Sequence, residues 1–270
     1  MKAAITLCQV QEAAAGPFVF HDPLAVGFAK ATHLGYDAVE LFLPGPHAVS
    51  VDDIKSLQAE HHLDIAAVGT GAGMVKHGLS LTDPDAAKRD QAIEFITNMI
   101  DFGGQLGAPA ILGSMQGKWG GDVSRDQALG WLADALTIFA PLAARHDVPF
   151  IYEPLNRYET NLINHLAEGA RYLATHKLDN IVLLADLFHM NIEESDVAQA
   201  ILDAGKHIGH VHYADSNRQA MGFGHTDPAP IISALKKVGY TGYLSAEVFP
   251  FPDADQCAAQ EIKAIKEALS

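Results

Sequence analysis

Short apolar, β-rich runs alternate with longer amphipathic segments along the whole chain. In the longer segments apolar residues recur at i, i+3 and i+4, as at Ile93, Ile96 and Ile100, and this spacing predicts helices with one buried face. Several of these segments follow an Asp beside a Pro and end near a Gly, which are ordinary helix start and stop signals. The short runs predict eight strands, at residues 3–10, 38–43, 64–69, 109–113, 149–153, 181–186, 208–214 and 243–248.

The order of these elements predicts the fold. Alternating β and α runs favour a parallel sheet, and eight strand-then-helix units can close it into a (β/α)8 TIM barrel, an α/β fold. An open doubly wound sheet is the alternative, but no GxGxxG follows the first strand and no GxxxxGK[ST] occurs anywhere. We therefore expect one barrel domain over residues 1–270.

Composition narrows the class of partner. The chain is 49% hydrophobic and 19% charged, which is ample for a core, and its net charge is −15 with only 18 Lys and Arg. Nucleic acids and anionic membrane surfaces are bound through clustered basic residues, so neither is expected as a partner. No run approaches the roughly 20 apolar residues of a membrane span. A small molecule is the expected ligand.

Cysteine usage and the first residues indicate a cytoplasmic protein. Cys8 and Cys257 lie near opposite ends of the chain without CxxC spacing, so they support neither a disulfide framework nor a thiolate zinc site. Gln9, Gln11 and Glu12 interrupt the first apolar run too early for a signal peptide. We expect reduced core thiols and a cytoplasmic location.

Polar residues stand at the ends of four successive predicted strands. Glu153 ends the fifth strand, Asp186 ends the sixth, His210 and His212 lie on the seventh, and Glu247 lies on the eighth. A parallel barrel places its active site at the carboxyl ends of its strands, so these groups should meet at one mouth. Any one carboxylate at such a position is commonly a helix N-cap or an ion-pair partner, but three carboxylates and an imidazole at the ends of adjacent strands indicate a site.

Clustered carboxylates in a desolvated mouth call for a neutralising cation. Three oxygen ligands and one nitrogen, with no thiolate, suit a hard or borderline divalent ion, and we expect Mn²⁺ ahead of Mg²⁺ or Co²⁺. His210 and His212 point the same way from one strand, and only one of them need be a ligand.

Each loop after these strands supplies a further polar group. Glu159 follows Glu153 by six residues, His189 follows Asp186 by three, and Arg218 follows His212 by six. This pattern suits a polyhydroxylated substrate.

Two structural roles are also open in the first of these loops. An internal Glu–Arg salt-bridge network that holds the loops, through Glu159 and Arg157 and also Arg218, is the alternative to substrate binding. We further expect Asn161 or Asn164 to cap the next helix.

Four stretches carry a family resemblance: "EPLNRYETNLINH", "LADLFHMNIEE", "HVHYADSNR" and "YLSAEVFP". They resemble the sugar isomerases and epimerases with a xylose isomerase-like barrel, in particular the D-tagatose 3-epimerase-like ketose 3-epimerases. Within that group, "VGTGAGMVKHGLSLTDPD" and "EPLNRYET" are most similar to 5-keto-L-gluconate epimerases, which invert C3 of a keto sugar acid. The family often forms dimers or tetramers, so a homodimer or homotetramer is implied.

The resemblance implies a role for each candidate residue. Glu153, Asp186, His212 and Glu247 correspond to the metal ligands, and Glu159, His189 and Arg218 correspond to the substrate-binding positions. The implied mechanism has the ion polarise the ketose carbonyl while Glu153 and Glu247, as the two acid/bases, remove and return the C3 proton through a cis-enediolate. Contacts from the first half of the chain stay unassigned.

Other reactions fit the same residues. An aldose–ketose isomerase would return the proton to the neighbouring carbon, and a keto-sugar lyase would eliminate a group β to the carbonyl. A non-catalytic sugar-binding protein is the remote alternative. We expect an isomerase acting on a sugar or sugar acid.

Overall fold

Eight strands, each parallel to its neighbours, close into a barrel in the order of the chain. The computed structural model describes residues 1–270. The strands are β1 (Lys2–Cys8), β2 (Ala38–Phe42), β3 (Asp64–Gly69), β4 (Ala110–Leu112), β5 (Phe150–Tyr152), β6 (Ile181–Asp186), β7 (Ile208–His212) and β8 (Tyr243–Ala246). The predicted (β/α)8 TIM barrel is confirmed, and each predicted strand is present with ends shifted by a few residues at most.

Ten α-helices connect and surround the strands. They are α1 (Leu24–Leu34), α2 (Val51–His61), α3 (Ala72–His77), α4 (Ala86–Gln105), α5 (Arg125–Ala144), α6 (Leu166–Thr175), α7 (Leu187–Glu193), α8 (Val197–Ala204), α9 (Pro228–Lys237) and α10 (Ala254–Leu269). Short 3₁₀ turns lie at Gln11–Ala13, Ser114–Gln116 and Gly205–His207.

The main core lies between the barrel wall and the helices. Phe139 of α5 packs against Phe150 of β5 with ring centroids 5.1 Å apart, and both side chains are fully buried. Burying a side chain of this size stabilises the fold by about 1.5–3 kcal/mol. Both cysteines, Cys8 and Cys257, are free and buried, in agreement with the expected reduced thiols.

Side chains cap most of the helices as the sequence predicts. Asp85 and Asp227, each beside a Pro, accept the amides of Ala87 and Ala229 at the starts of α4 and α9. Gly35 ends α1 at φ +85°, a left-handed conformation that glycine adopts without strain.

The prediction that Asn161 or Asn164 caps α6 was wrong. Asn164 donates to the carbonyls of Leu155 and Thr160, and Asn161 bonds to the backbone of Trp119. The first amide of the helix, that of Leu166, donates instead to Glu194.

Helix α5 is the one helix long and apolar enough to cross a membrane by length and composition alone. The expectation that no segment approaches such a span was therefore wrong. Leu132, Leu136 and Phe139 of this helix are fully buried within the chain's own core, so packing on the barrel accounts for its apolar face.

Candidate active site

The predicted site residues converge at the carboxyl end of the barrel. Asp186 and His212 are the last residues of β6 and β7, and Glu153 and Glu247 directly follow β5 and β8. Glu159, His189 and Arg218 come from the loops and the short helix that follow, and they line the same cavity. The structure thus brings together all seven residues that the sequence singled out.

The ring of His212 faces three carboxylates through one nitrogen. Its Nδ1 lies 3.3 Å from Asp186 Oδ2, 3.5 Å from Glu247 Oε2 and 3.7 Å from Glu153 Oε1. These separations are long for hydrogen bonds, but they approach the roughly 3 Å between neighbouring ligands of an ion with bonds of about 2.1 Å. Burial lowers the pKa of His212, but Glu247, Glu40 and Asp186 outweigh it and raise the pKa well above its usual value. The cluster thus attracts positive charge.

Two buried groups of side chains have the spacing of a metal site. Glu153, Asp186 and His212 offer ligand atoms within 4.8 Å of one another, and Glu40, His210 and His212 do the same. In the second group each Glu40 oxygen already forms a hydrogen bond with one histidine Nε2, at 2.7 and 3.0 Å, so these atoms satisfy one another without an ion. The ligand atoms of the first group lie at 3.3 and 3.7 Å from His212 Nδ1, without such close pairing, and this group fits a divalent ion.

Asp186 uses its two oxygens differently. Oδ1 accepts the amides of Phe188 and His189, 2.7 and 3.2 Å away, and so caps helix α7. Oδ2 faces His212 and Arg218. The helix-capping role and the site role therefore belong to one carboxylate.

Glu153 is buried and accepts no side-chain hydrogen bond. Burial raises its pKa well above the usual range, and Glu247 and Asp186 add to this, although His212 opposes it. Gly113 leaves space for the carboxylate, because a Cβ at that position would lie 2.7 Å from Glu153 Oε2. A carboxylate with a raised pKa and no fixed partner is suited to exchange a proton with a substrate.

Glu247 differs from Glu153 because Arg218 binds it. Arg218 Nη2 donates to Glu247 Oε2 and lies 3.6 Å from Asp186 Oδ2. The guanidinium also stacks over the ring of Phe188, 4.8 Å from its centroid. Arg218 has φ +59°, which its loop stabilises through four backbone amides that donate to the buried Asp215 carboxylate.

His189 presents a proton donor to the cavity. Asn156 Oδ1 accepts the amide of Tyr158, so its Nδ2 is the group that donates to His189 Nδ1 at 2.7 Å and to Glu159 Oε1 at 3.1 Å. The proton of the His189 ring therefore lies on Nε2, which is buried and has no partner within the protein. Burial lowers the pKa of His189, which favours the neutral ring.

The cavity has a volume of about 390 Å³ and a different character at its two ends. The charged groups lie at the barrel end, whereas Phe18 and Phe42 stack 4.4 Å apart on its wall. Lys76 bonds to Glu12, another residue of the wall, at 3.2 Å. A ligand of sugar size fits such a space.

Arg157 and Glu159 pair with other residues and not with each other. Arg157 forms its ion pair with Glu193 and not with Glu159, so the Glu159–Arg157 pair of the alternative salt-bridge network is absent. Glu159 lies instead 3.6 Å from Arg218.

Two residues of the site were missed in the sequence. Glu40 is a lone carboxylate inside the apolar strand "AVELFL", and that isolation was an available signal. Asn156 gave no signal, since it is one of several amides in a polar loop.

Comparisons with known proteins show which proteins the chain is similar to. A family model described as xylose isomerase-like TIM barrel matches residues 28–268. The L-ribulose 3-epimerase of Methylomonas sp. (strain DH-1) is 33% identical over 223 residues, which are 82% of this chain and 77% of that protein. The 3-dehydro-D-guloside 4-epimerase of Escherichia coli (strain K12) is 38% identical over 116 residues, 43% of this chain and 44% of that protein.

A solved structure is similar over nearly the whole length. The D-allulose 3-epimerase from Methylomonas sp., in complex with D-allulose, superposes with a TM-score of 0.81 at 27% identity. The match covers 99% of this chain and 98% of that one. These relatives are epimerases, which are isomerase-class enzymes.

Proposed function

The chain belongs to the xylose isomerase-like TIM barrel family and is an isomerase, and we propose that it is a divalent-metal-dependent epimerase that inverts C3 of a ketose. The observation that carries this proposal is the arrangement around His212. One nitrogen faces Asp186, Glu247 and Glu153 at 3.3–3.7 Å, inside a cavity large enough for a sugar.

Glu153, Asp186, His212 and Glu247 would hold the ion. A divalent ion bound there would supply Lewis-acid polarisation of the substrate carbonyl, which acidifies the neighbouring C–H. Oxygen-rich ligation favours Mn²⁺, with Mg²⁺ or Co²⁺ as alternatives. The ion's identity, a cytoplasmic location and a homodimeric or homotetrameric assembly stay predictions from the sequence.

The acid and base are Glu153 and Glu247. One carboxylate removes the C3 proton to leave an enediolate, and the other returns a proton to the opposite face. The unpartnered Glu153 and the Arg218-bound Glu247 supply two carboxylates in different environments, as a two-base inversion needs. Each acid/base group would contribute about 10²- to 10⁴-fold in rate.

Three further side chains would bind the substrate. His189 Nε2 and Arg218 donate hydrogen bonds to its oxygens near C1 and C2, and Glu159 accepts one from a hydroxyl. The support for His189 is its buried, unpartnered Nε2 proton, since a buried donor without an acceptor costs about 1–3 kcal/mol until a ligand satisfies it.

A neutral ketose suits the cavity better than a keto sugar acid. Arg218 is the only Lys or Arg among the residues that line it, and Glu247, Asp186 and Glu159 already surround its guanidinium. The carboxylate of a sugar acid would find no free cation, because Arg218 is already surrounded by acidic groups and Lys76 beside the wall is paired with Glu12.

A screen of ketoses and keto sugar acids with Mn²⁺ in D₂O tests the proposal. Deuterium at C3 of both epimers, read by NMR, is the expected result. Deuterium at C1 would indicate an aldose–ketose isomerase, and exchange at C4 would indicate chemistry like that named for the Escherichia coli relative. Elimination products would indicate a lyase, and binding without exchange would indicate a non-catalytic sugar-binding protein.

A further inference from the structure

Glu40 contacts the site from across the barrel. It lies on β2, whereas its partners His210 and His212 lie on β7, and strands β8 and β1 stand between them in the barrel wall. All three side chains are buried, with exposures of 4%, 1% and 1%. These contacts therefore cross the interior of the barrel at the wall of the cavity, which Glu40 and His212 both line.

Both oxygens of Glu40 are occupied by histidine nitrogens. Oε2 lies 2.7 Å from His210 Nε2, and Oε1 lies 3.0 Å from His212 Nε2. An ionised carboxylate only accepts hydrogen bonds, so each Nε2 must carry the proton of its bond. The two histidine rings are nearly perpendicular at 82°, so they approach the carboxylate from different directions and fix its orientation.

This arrangement determines which nitrogen of His212 is available to a ligand. When a bound ion replaces the second proton of His212, the proton that stays is on Nε2 and the lone pair is on Nδ1, the atom that faces Asp186 Oδ2 at 3.3 Å and Glu153 Oε1 at 3.7 Å. The opposite tautomer would direct a proton at the place where an ion should bind.

We propose that Glu40 is a positioning residue that holds His212 in the Nε2–H tautomer, so that Nδ1 is presented to the divalent ion. His210 supports it by occupying the second oxygen of the carboxylate. Hydrogen-bonding partners of this kind orient metal-ligating histidines and raise their basicity. The inference rests on the proposed metal site, but it assigns no contact between Glu40 and the substrate.

Glu40→Gln is the direct test of this role. The amide has one acceptor oxygen and one donor nitrogen, so it can accept a proton from only one of the two Nε2 atoms. The other histidine must change tautomer or lose its partner, and the preference of His212 for the Nε2–H tautomer weakens. We expect the Mn²⁺ dissociation constant, measured from the EPR signal of free Mn²⁺, to rise about 10- to 100-fold.

Glu261→Gln is the matched control. Glu261 is also a fully buried glutamate, but it accepts the amide of Met221 near α10 and is not among the residues that line the cavity. This variant should bind Mn²⁺ as the wild type does. Equal Mn²⁺ affinity in Glu40→Gln and the wild type would overturn the role of Glu40 alone, whereas a wild type that binds no divalent ion would overturn the proposed function as well.

A second measurement does not need Glu40→Gln and decides the case if that variant fails to fold. In ¹⁵N-labelled protein loaded with Zn²⁺, the long-range ¹H–¹⁵N spectrum reports which ring nitrogen of His212 carries the proton. A protonated Nε2 and an ion-bound Nδ1 support the proposal. A protonated Nδ1 overturns it. Comparison with His212→Asn assigns the signals.

Discussion

Arg218 donates a hydrogen bond to Glu247, while Glu153 across the same site has no hydrogen-bonding partner for its carboxylate. The two candidate acid/bases therefore differ in environment although they are the same residue type. Arg218 holds the carboxylate of Glu247 in place, whereas burial raises the pKa of Glu153. This asymmetry is the physical basis for assigning a proton acceptor and a proton donor.

Gly113→Ala should disable Glu153 without unfolding the barrel. A Cβ at residue 113 would lie 2.7 Å from Glu153 Oε2, so the carboxylate must move from its place. A displacement of this kind can cost about 100-fold in rate. Steady-state kinetics and thermal melting would check this. Gly130→Ala is the control, because a Cβ there meets nothing within 4 Å and helix α5 should gain about 0.5–1 kcal/mol.

Arg218→Lys should lower kcat/KM about 10- to 100-fold, since a hydrogen bond to a charged group is worth about 1.5–3 kcal/mol. Lysine keeps the charge but loses the planar fork that reaches Glu247 and stacks on Phe188. Arg157→Lys is the matched control, because Arg157 pairs with Glu193 away from the cavity. If both variants lost activity equally, the assigned role of Arg218 would be wrong.

Removal of divalent ions should abolish turnover and lower thermal stability together. The carboxylates around His212 repel one another without the ion, and an ion at 100 times its dissociation constant stabilises the fold by about 2.7 kcal/mol. Dialysis against EDTA followed by calorimetry and activity assays, with Mn²⁺ added back, measures both effects. Full activity in the EDTA-treated protein would rule out the metal-dependent mechanism.

Glu261 should make the protein less stable as the pH rises. Burial raises the pKa of Glu261 to about 8 in the folded protein, whereas its ordinary value is 4.5. The folded state therefore holds a proton that the unfolded state has released between these two values, and the contribution of Glu261 to stability falls by up to about 1.4 kcal/mol per pH unit across that window. Below pH 4.5 both states are protonated and the penalty is absent.

Urea denaturation of the wild type and of Glu261→Gln from pH 4 to pH 9 would measure this effect. The stability of the variant relative to the wild type should grow with pH up to about 8 and then level off. A difference that stays constant over this range would contradict the raised pKa.

The strand-to-helix alternation was sufficient to predict the barrel because the period of apolar residues reflects local burial. The site residues from the second half of the chain were predictable for a related reason. Glu153, Asp186 and His212 stand where strands end, and the barrel brings strand ends to one mouth.

Contacts that depend on closure of the barrel were not predictable. Glu40 meets His210 across 170 positions of sequence, and only the completed barrel places β2 opposite β7. The prediction of the α6 cap failed for the same reason. Glu194, which accepts the amide of Leu166, lies 28 residues from it in the sequence.

Proton exchange in single variants tests the two-base inversion most directly. With saturating Mn²⁺ in D₂O, Glu153→Gln and Glu247→Gln should each lose epimerisation about 10²- to 10⁴-fold. Each variant should still exchange the C3 proton of one epimer, and the two variants should act on opposite epimers, because each retains a base on one face. Near-normal epimerisation in both variants, or exchange of the same epimer by both, would contradict the account.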